Sequence, residues 1–230
     1  MAQLQPSKSF LLFLAAVSIF GLALVPLFLL QPHLYSVEFW DRRIFVGIFY
    51  SSICIGGIVA VFQPSKCRKQ FQRIENPLPT GESSTLSVPF KGHHPACQRF
   101  SGNRIKIGGA AVCAACSGLL VGGIVALAGT VLYFFGDFSL IAGVFWVLWL
   151  GEVLMVVGLA QIWFHGYVKL VVNALFVIGS FLALIVTDGL GQNLLLDLYV
   201  VGIIVFTLYT RILFSEWNNK KICDSCGRCV

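Results

Sequence analysis

Six apolar runs, each close to the length that crosses a lipid bilayer, constrain this chain more than any other feature. They are Phe10 to Leu30, Ile44 to Phe62, Gly108 to Phe135, Phe138 to Phe164, Tyr167 to Thr187 and Leu194 to Phe214. A helix that spans the hydrocarbon core needs about 20 mostly apolar residues, and uninterrupted runs beyond roughly 18 read as spans. Composition agrees: 57% of the residues are hydrophobic and 11% charged, against roughly 45–50% and 25% in a soluble domain. The expected fold is an all-α integral membrane protein with about six transmembrane helices.

The first run is expected to be a retained span. A secretory signal has an apolar region of about 7–15 residues and a small-residue cleavage site, whereas this run continues through Pro26 and ends at Pro32-His33-Leu34 without an Ala-x-Ala pattern. Between the second and third runs lies a polar stretch rich in helix breakers, with Pro64, Pro77, Pro79, Pro89 and Gly81-Glu82-Ser83-Ser84-Thr85. The chain therefore divides into a polytopic membrane domain, residues 1–215, containing a loop at about 63–107, and a short Cys-containing tail, residues 216–230.

The net charge of +6 reports topology rather than nucleic-acid binding. With six spans the termini share a side with the second and fourth loops. That side holds Lys8, Lys66, Arg68, Lys69, Arg73, Lys91, Arg99, Arg104, Lys106, Lys169, Arg211, Lys220, Lys221 and Arg228, leaving only Arg42 and Arg43 opposite. Basic residues gather in cytoplasmic loops, so both termini, the long loop and the tail are expected in the cytoplasm of a cell-membrane protein whose one certain partner is the bilayer.

Chemistry concentrates on the same side. Of the eight cysteines only Cys54 falls away from it, and a reducing compartment disfavours structural disulfides there. His94-x2-Cys97 is followed after 15 residues by Cys113-x2-Cys116, which is the two-pair spacing of a zinc site with one Cys replaced by His. Three thiolates and an imidazole complete a tetrahedron. Gly102, Gly108 and Gly109 let the chain fold back between the pairs, and His93 is an alternative ligand. Cys113 and Cys116 are placed near a helix start, where unpaired N–H groups favour thiolate over thiol. That placement suits metal binding and thiol redox chemistry alike, while packing of small residues is the bland alternative.

The tail adds Cys223, Cys226 and Cys229. Their spacing matches the first three ligands of a bacterial iron–sulfur run but lacks the fourth Cys and its Pro, and their positions do not fit a prenylation signal. A second metal cluster, completion of a site with Cys67 or Cys97, and a plain polar terminus are the readings.

Polar residues inside apolar runs are costly and mark cavities or partners. Glu152 lies midway through the fourth run, and His165, Lys169 and Asn173 recur at spacing four on one helix face, with Gln161 and Arg211 at similar depth. These residues define a candidate cofactor or substrate pocket opening to the cytoplasm; the structural alternative has Lys169 and Arg211 snorkelling to the interface. Ala114, Gly118 and Gly122, with Gly56 and Gly57, are expected to permit close helix contact.

The stretch from Cys97-Gln98-Arg99-Phe100 to Cys113-Ala114-Ala115-Cys116-Ser117-Gly118-Leu119 resembles a prokaryotic family of membrane proteins, domain of unknown function 2085, with Gln98 standing where that family carries a His after its first Cys. The likeness implies a membrane protein with a His/Cys element and carries no activity with it. Three functions are therefore expected to compete. The first is a metal-binding membrane protein holding zinc. The second is a membrane thiol oxidoreductase using Cys113 and Cys116, similar to quinone-linked disulfide-forming enzymes. The third is a transporter or membrane enzyme using the Glu152 pocket.

Overall fold

The computed structural model describes residues 7–30, 42–62, 90–91, 102–107, 110–136 and 143–226. Six helices in it are long and apolar enough to cross a membrane. They are α1 (Lys8–Leu29), α2 (Arg42–Phe62), α3 (Ala114–Thr130), α4 (Phe145–Leu159), α5 (Gly166–Gly191) and α6 (Leu194–Cys226). A π-helical turn, Val131–Phe135, prolongs α3, and a 3₁₀ turn, Ala160–Trp163, ends α4.

Local chemistry explains where the helices start and stop. The Ser7 side chain accepts from the Phe10 N–H at 3.1 Å and caps α1. Gln192 takes a left-handed conformation, φ 45°, that closes α5. The Asn193 side chain then accepts from Leu195 N–H at 2.9 Å and opens α6. Gly166, with φ +54°, occupies the one other left-handed position among the described residues, between the 3₁₀ turn and α5. At about 1.5 Å per residue α6 is roughly 50 Å long, longer than a hydrocarbon core of about 30 Å. It carries the first part of the tail as a continuation of the last span.

Helix α5 is the hub. Of its most apolar stretch 61% is buried inside the protein, against 22% for α2, and its largest contacts are with α4 and α3. Glycines set these approaches. A Cβ on Gly151 would stand 2.7 Å from the Gly179 carbonyl oxygen, and one on Gly122 would stand 2.7 Å from that of Ala174. Gly118 lies closer still, beneath the Leu170 carbonyl and Asn173. The expected small-residue seam at Gly118 and Gly122 is thus the α3–α5 contact. The expectation for Gly56 and Gly57 is corrected among the described residues: both are exposed, with no described atom of a neighbouring element within 4 Å of an added Cβ. In α2 it is Gly47, against Phe134, that meets its neighbour closely. Outside this hub α1 rests on α6, where the Tyr199 hydroxyl donates to the Gly21 carbonyl at 2.8 Å and Ser18 meets Thr210 at 3.3 Å.

A small sheet sits at the helix end where α3 and α5 begin. Its strands are β1 (Phe90–Lys91), β2 (Arg104–Ile107) and β3 (Ala110–Cys113), in the order β1-β3-β2. β2 runs antiparallel to β3, pairing Arg104 with Cys113 and Ile105 with Val112, and β1 runs parallel to β3. This corrects the third run, expected to span from Gly108: the helix begins at Ala114, and Ala110–Cys113 is strand. Short apolar segments suit a strand as well as a helix, and here Ile105 and Val112 pair across the hairpin. In the fourth run, expected from Phe138, the described helix starts at Phe145, and residues 138–142 lie outside the described residues.

Candidate functional site

Each end of the bundle buries a polar cluster. At the sheet end, Cys113 closes β3 and occupies the cap position of α3 with extended backbone, φ −73° and ψ 121°. It is 1% exposed, and Cys116 follows one turn on, half-buried. The strand-to-helix turn therefore brings the two thiols to the first turn of a long helix, as their spacing implied.

Lys169 stands against this pair. It is 5% exposed, its Nζ donates to Asn103 Oδ1 at 2.7 Å, and its ammonium lies within electrostatic reach of both thiols and of Arg211. One turn later the Asn173 amide donates to the Lys169 carbonyl, while its own Oδ1 has no hydrogen-bond partner among the described residues. Arg211 of α6 is 2% exposed. Its Nη2 donates to Gln161 Oε1 at 3.0 Å, Gln161 Nε2 donates back to the Arg211 carbonyl at 3.4 Å, and the guanidinium lies 4.5 Å from the Phe176 ring centroid. Its Nε and Nη1 have no hydrogen-bond partner among the described residues. Neither Lys169 nor Arg211 is snorkelling in the usual sense, because both heads are enclosed.

Three contacts fasten the sheet to the start of α5. They are Asn103 to Lys169, the Tyr167 hydroxyl donating to the Lys106 carbonyl at 3.0 Å, and Gly102 beneath the His165 ring, where a Cβ would come within 2.6 Å. His165 itself is exposed and precedes α5. Of the four expected pocket residues, Lys169 and Asn173 are joined, His165 lies on the rim, and Glu152 is elsewhere. Glu152 is 4% exposed and floors a groove between α1 and α4 whose lining holds none of the other three.

His93, His94, Cys97 and Cys229 lie outside the described residues, as do the side chains of Cys223 and Cys226 on α6. Among the described residues no three His, Cys, Asp or Glu side chains converge to hold a metal ion.

The far end carries a cluster that reading the sequence missed. Arg42 Nη1 bridges Asp188 Oδ1 at 2.8 Å and Asp197 Oδ2 at 2.6 Å. Arg43 Nε approaches Asp188 Oδ2 at 3.8 Å, its Nη2 donates to the Tyr133 carbonyl at 2.9 Å, and its guanidinium lies over the Tyr133 ring. The Tyr133 hydroxyl donates to Asp188 Oδ2 at 2.8 Å. Two cations and two carboxylates thus join α2, α5 and α6 with the π-helical turn after α3. The available signal was that Arg42 and Arg43 stand alone on their side while Asp188 and Asp197 flank the last turn.

No known family, curated protein or solved structure matches the chain.

Proposed function

We propose that this chain is a multi-pass cell-membrane protein whose sheet end faces the cytoplasm and holds a zinc ion through His94, Cys97, Cys113 and Cys116, pinning the long loop to the bundle. The observation that supports it most is the Cys113–Cys116 turn beside a buried lysine. Zinc with three thiolates and one neutral imidazole carries one net negative charge, and Lys169 supplies a buried positive charge next to it. An enclosed ammonium whose hydrogen-bond partner among the described residues is an amide oxygen is otherwise expensive. The β2–β3 register adds reach. Arg104 lies opposite Cys113, and the seven residue steps from Cys97 to Arg104 can extend up to about 25 Å, so the chain is long enough for the first ligand pair to reach the second. When bound, the ion would act as a structural clamp with all four positions filled by protein.

The test is metal analysis of purified protein. About one zinc per chain is expected, lost in Cys113→Ser with Cys116→Ser, and a metal-free wild type purified without chelator overturns the reading. A second reading, a thiol oxidoreductase, draws on the same lysine, since a cation beside a helix-start Cys-x-x-Cys favours the reactive thiolate. Labelling with a membrane-impermeant maleimide separates the two. Label on Cys116, the half-buried member of the pair, from the cytoplasmic face supports the zinc clamp, and label from the outer face supports the oxidoreductase.

A further inference from the structure

Glu152 is buried in a lipid-facing groove that the zinc proposal does not use. The groove has a volume of about 220 Å³ and is lined by Ile19, Leu22 and Ala23 of α1 and by Trp149, Val153, Val156 and Val157 of α4. Its walls open outward: Ile19 is 45% exposed, Trp149 42% and Val153 54%. On a membrane-spanning bundle that outward face meets acyl chains. Glu152 Oε1 has no hydrogen-bond partner among the described residues, and Glu152 stands roughly 10 Å along α4 from Phe145. A carboxyl in hydrocarbon without a partner costs several kcal/mol, so a groove that keeps one at its floor is built for something that completes it.

We infer that this groove binds a small lipophilic amine that enters from the bilayer and pairs with Glu152. An occupant arriving through hydrocarbon has to be uncharged and mostly apolar, and the aliphatic walls accept such a body. The volume exceeds the roughly 150 Å³ apolar cavity that admits benzene, which leaves room for a ring or short chain plus one polar group. The one ionisable group in the lining is the acid Glu152, and the complement of an acid is a base. On docking, the carboxyl O–H bond breaks and its proton passes to the amine lone pair. The resulting ammonium N–H donates back to the carboxylate, and the pair remains neutral overall. Such a charge-assisted bond is roughly twice as strong as the neutral bond an alcohol would make. Trp149 adds an aromatic wall of the kind that attracts a cation.

The test uses the full chain in phosphatidylcholine nanodiscs and three probes of one shape: 4-bromobenzylamine, 4-bromobenzyl alcohol and 4-bromotoluene. Bromine near Trp149 quenches its fluorescence, and Trp149→Phe identifies that component. Saturable quenching by the amine alone is expected. Glu152→Gln, which keeps shape and removes the acid, is expected to weaken it roughly 10- to 100-fold, the loss of one charge-assisted bond. Ala23→Leu keeps the acid but fills the groove from a lipid-facing position, and is expected to abolish saturation while leaving the fold intact. Equal saturation by all three probes would show a plain acyl-chain groove and overturn the inference. Alcohol binding as tight as amine binding, or unchanged affinity in a folded Glu152→Gln or Ala23→Leu chain, overturns it as well. None of these readouts depends on zinc content.

Discussion

Arg42→Met should be the most damaging single substitution at the far end of the bundle. Its guanidinium touches two carboxylates at once, 2.8 Å from Asp188 and 2.6 Å from Asp197, and those side chains are 1% and 0% exposed. Removing Arg42 leaves two enclosed carboxylates with Arg43, 3.8 Å from Asp188, as the remaining cation. Breaking one side of a buried ion cluster costs about 3–5 kcal/mol, whereas an exposed pair is worth about 0–1 kcal/mol. For a chain of this size each kcal/mol moves the melting temperature by roughly 2–4 °C, which predicts a fall of roughly 6–20 °C. Asp197→Leu should cost less, because Arg42 keeps Asp188. The double variant Arg42→Met with Asp197→Leu restores charge balance around Arg43, Asp188 and Tyr133, so its cost should fall short of the sum of the singles by about 1–3 kcal/mol. The assay is fluorescence-detected unfolding of each variant in one detergent. A fall under about 2 °C for Arg42→Met, as for a surface pair, or strict additivity in the double variant, would refute the reasoning.

The glycine seams make a contrasting pair. Gly151→Val drives a side chain into a backbone whose nearest oxygen is already 2.7 Å from the Cβ position, and overpacking of about 1–3 kcal/mol or more is expected. Gly56→Val, with nothing within 4 Å of its Cβ position, should change the melting temperature little. Asn103→Leu removes the oxygen that Lys169 Nζ donates to at 2.7 Å and strands a buried ammonium, so the sheet should loosen. Maleimide should then modify Cys113, which is 1% exposed in the intact protein, several-fold faster. Arg211→Met should destabilise by about 1–3 kcal/mol by leaving the buried Gln161 oxygen without its donor. Adding Gln161→Leu should recover most of that loss, as read by the same unfolding assay.

The helices were legible because hydrocarbon demands long apolar runs, and that signal survives without knowledge of any neighbour. Helix ends were less so. Gly108 to Cys113 reads as the start of a span by hydropathy, yet the run contains a strand, because Ile105 and Val112 become partners only once the chain has reversed. The seam at Gly118 and Gly122 was visible as spacing, while Gly56 and Gly57 show that small residues mark a contact only when a partner helix lies opposite. In the candidate site, the pair Cys113 and Cys116 and the joined Lys169 and Asn173 follow from local periodicity. Glu152, midway through its run, was grouped with them, and the groove it lines between α1 and α4 holds none of them. Asp188 and Asp197 were passed over for a related reason. Their partners Arg42 and Arg43 lie about 150 residues away in sequence, and no local pattern connects them.

The two buried clusters differ in the way that matters for function. At the far end two arginines meet two aspartates, so among the described residues each enclosed carboxylate has a cation beside it. At the sheet end Lys169 and Arg211 are both enclosed, and among the described residues neither forms an ion pair with a carboxylate. Enclosed charge is retained only where something balances it. Among the described residues the groups within electrostatic reach of Lys169 that can become negative are Cys113 and Cys116, and a bound metal or a redox reaction would hold such thiols ionised. The far cluster therefore ties the helices of the bundle together, and a lysine and an arginine enclosed without a carboxylate among the described residues make the sheet end the place to test the proposed chemistry.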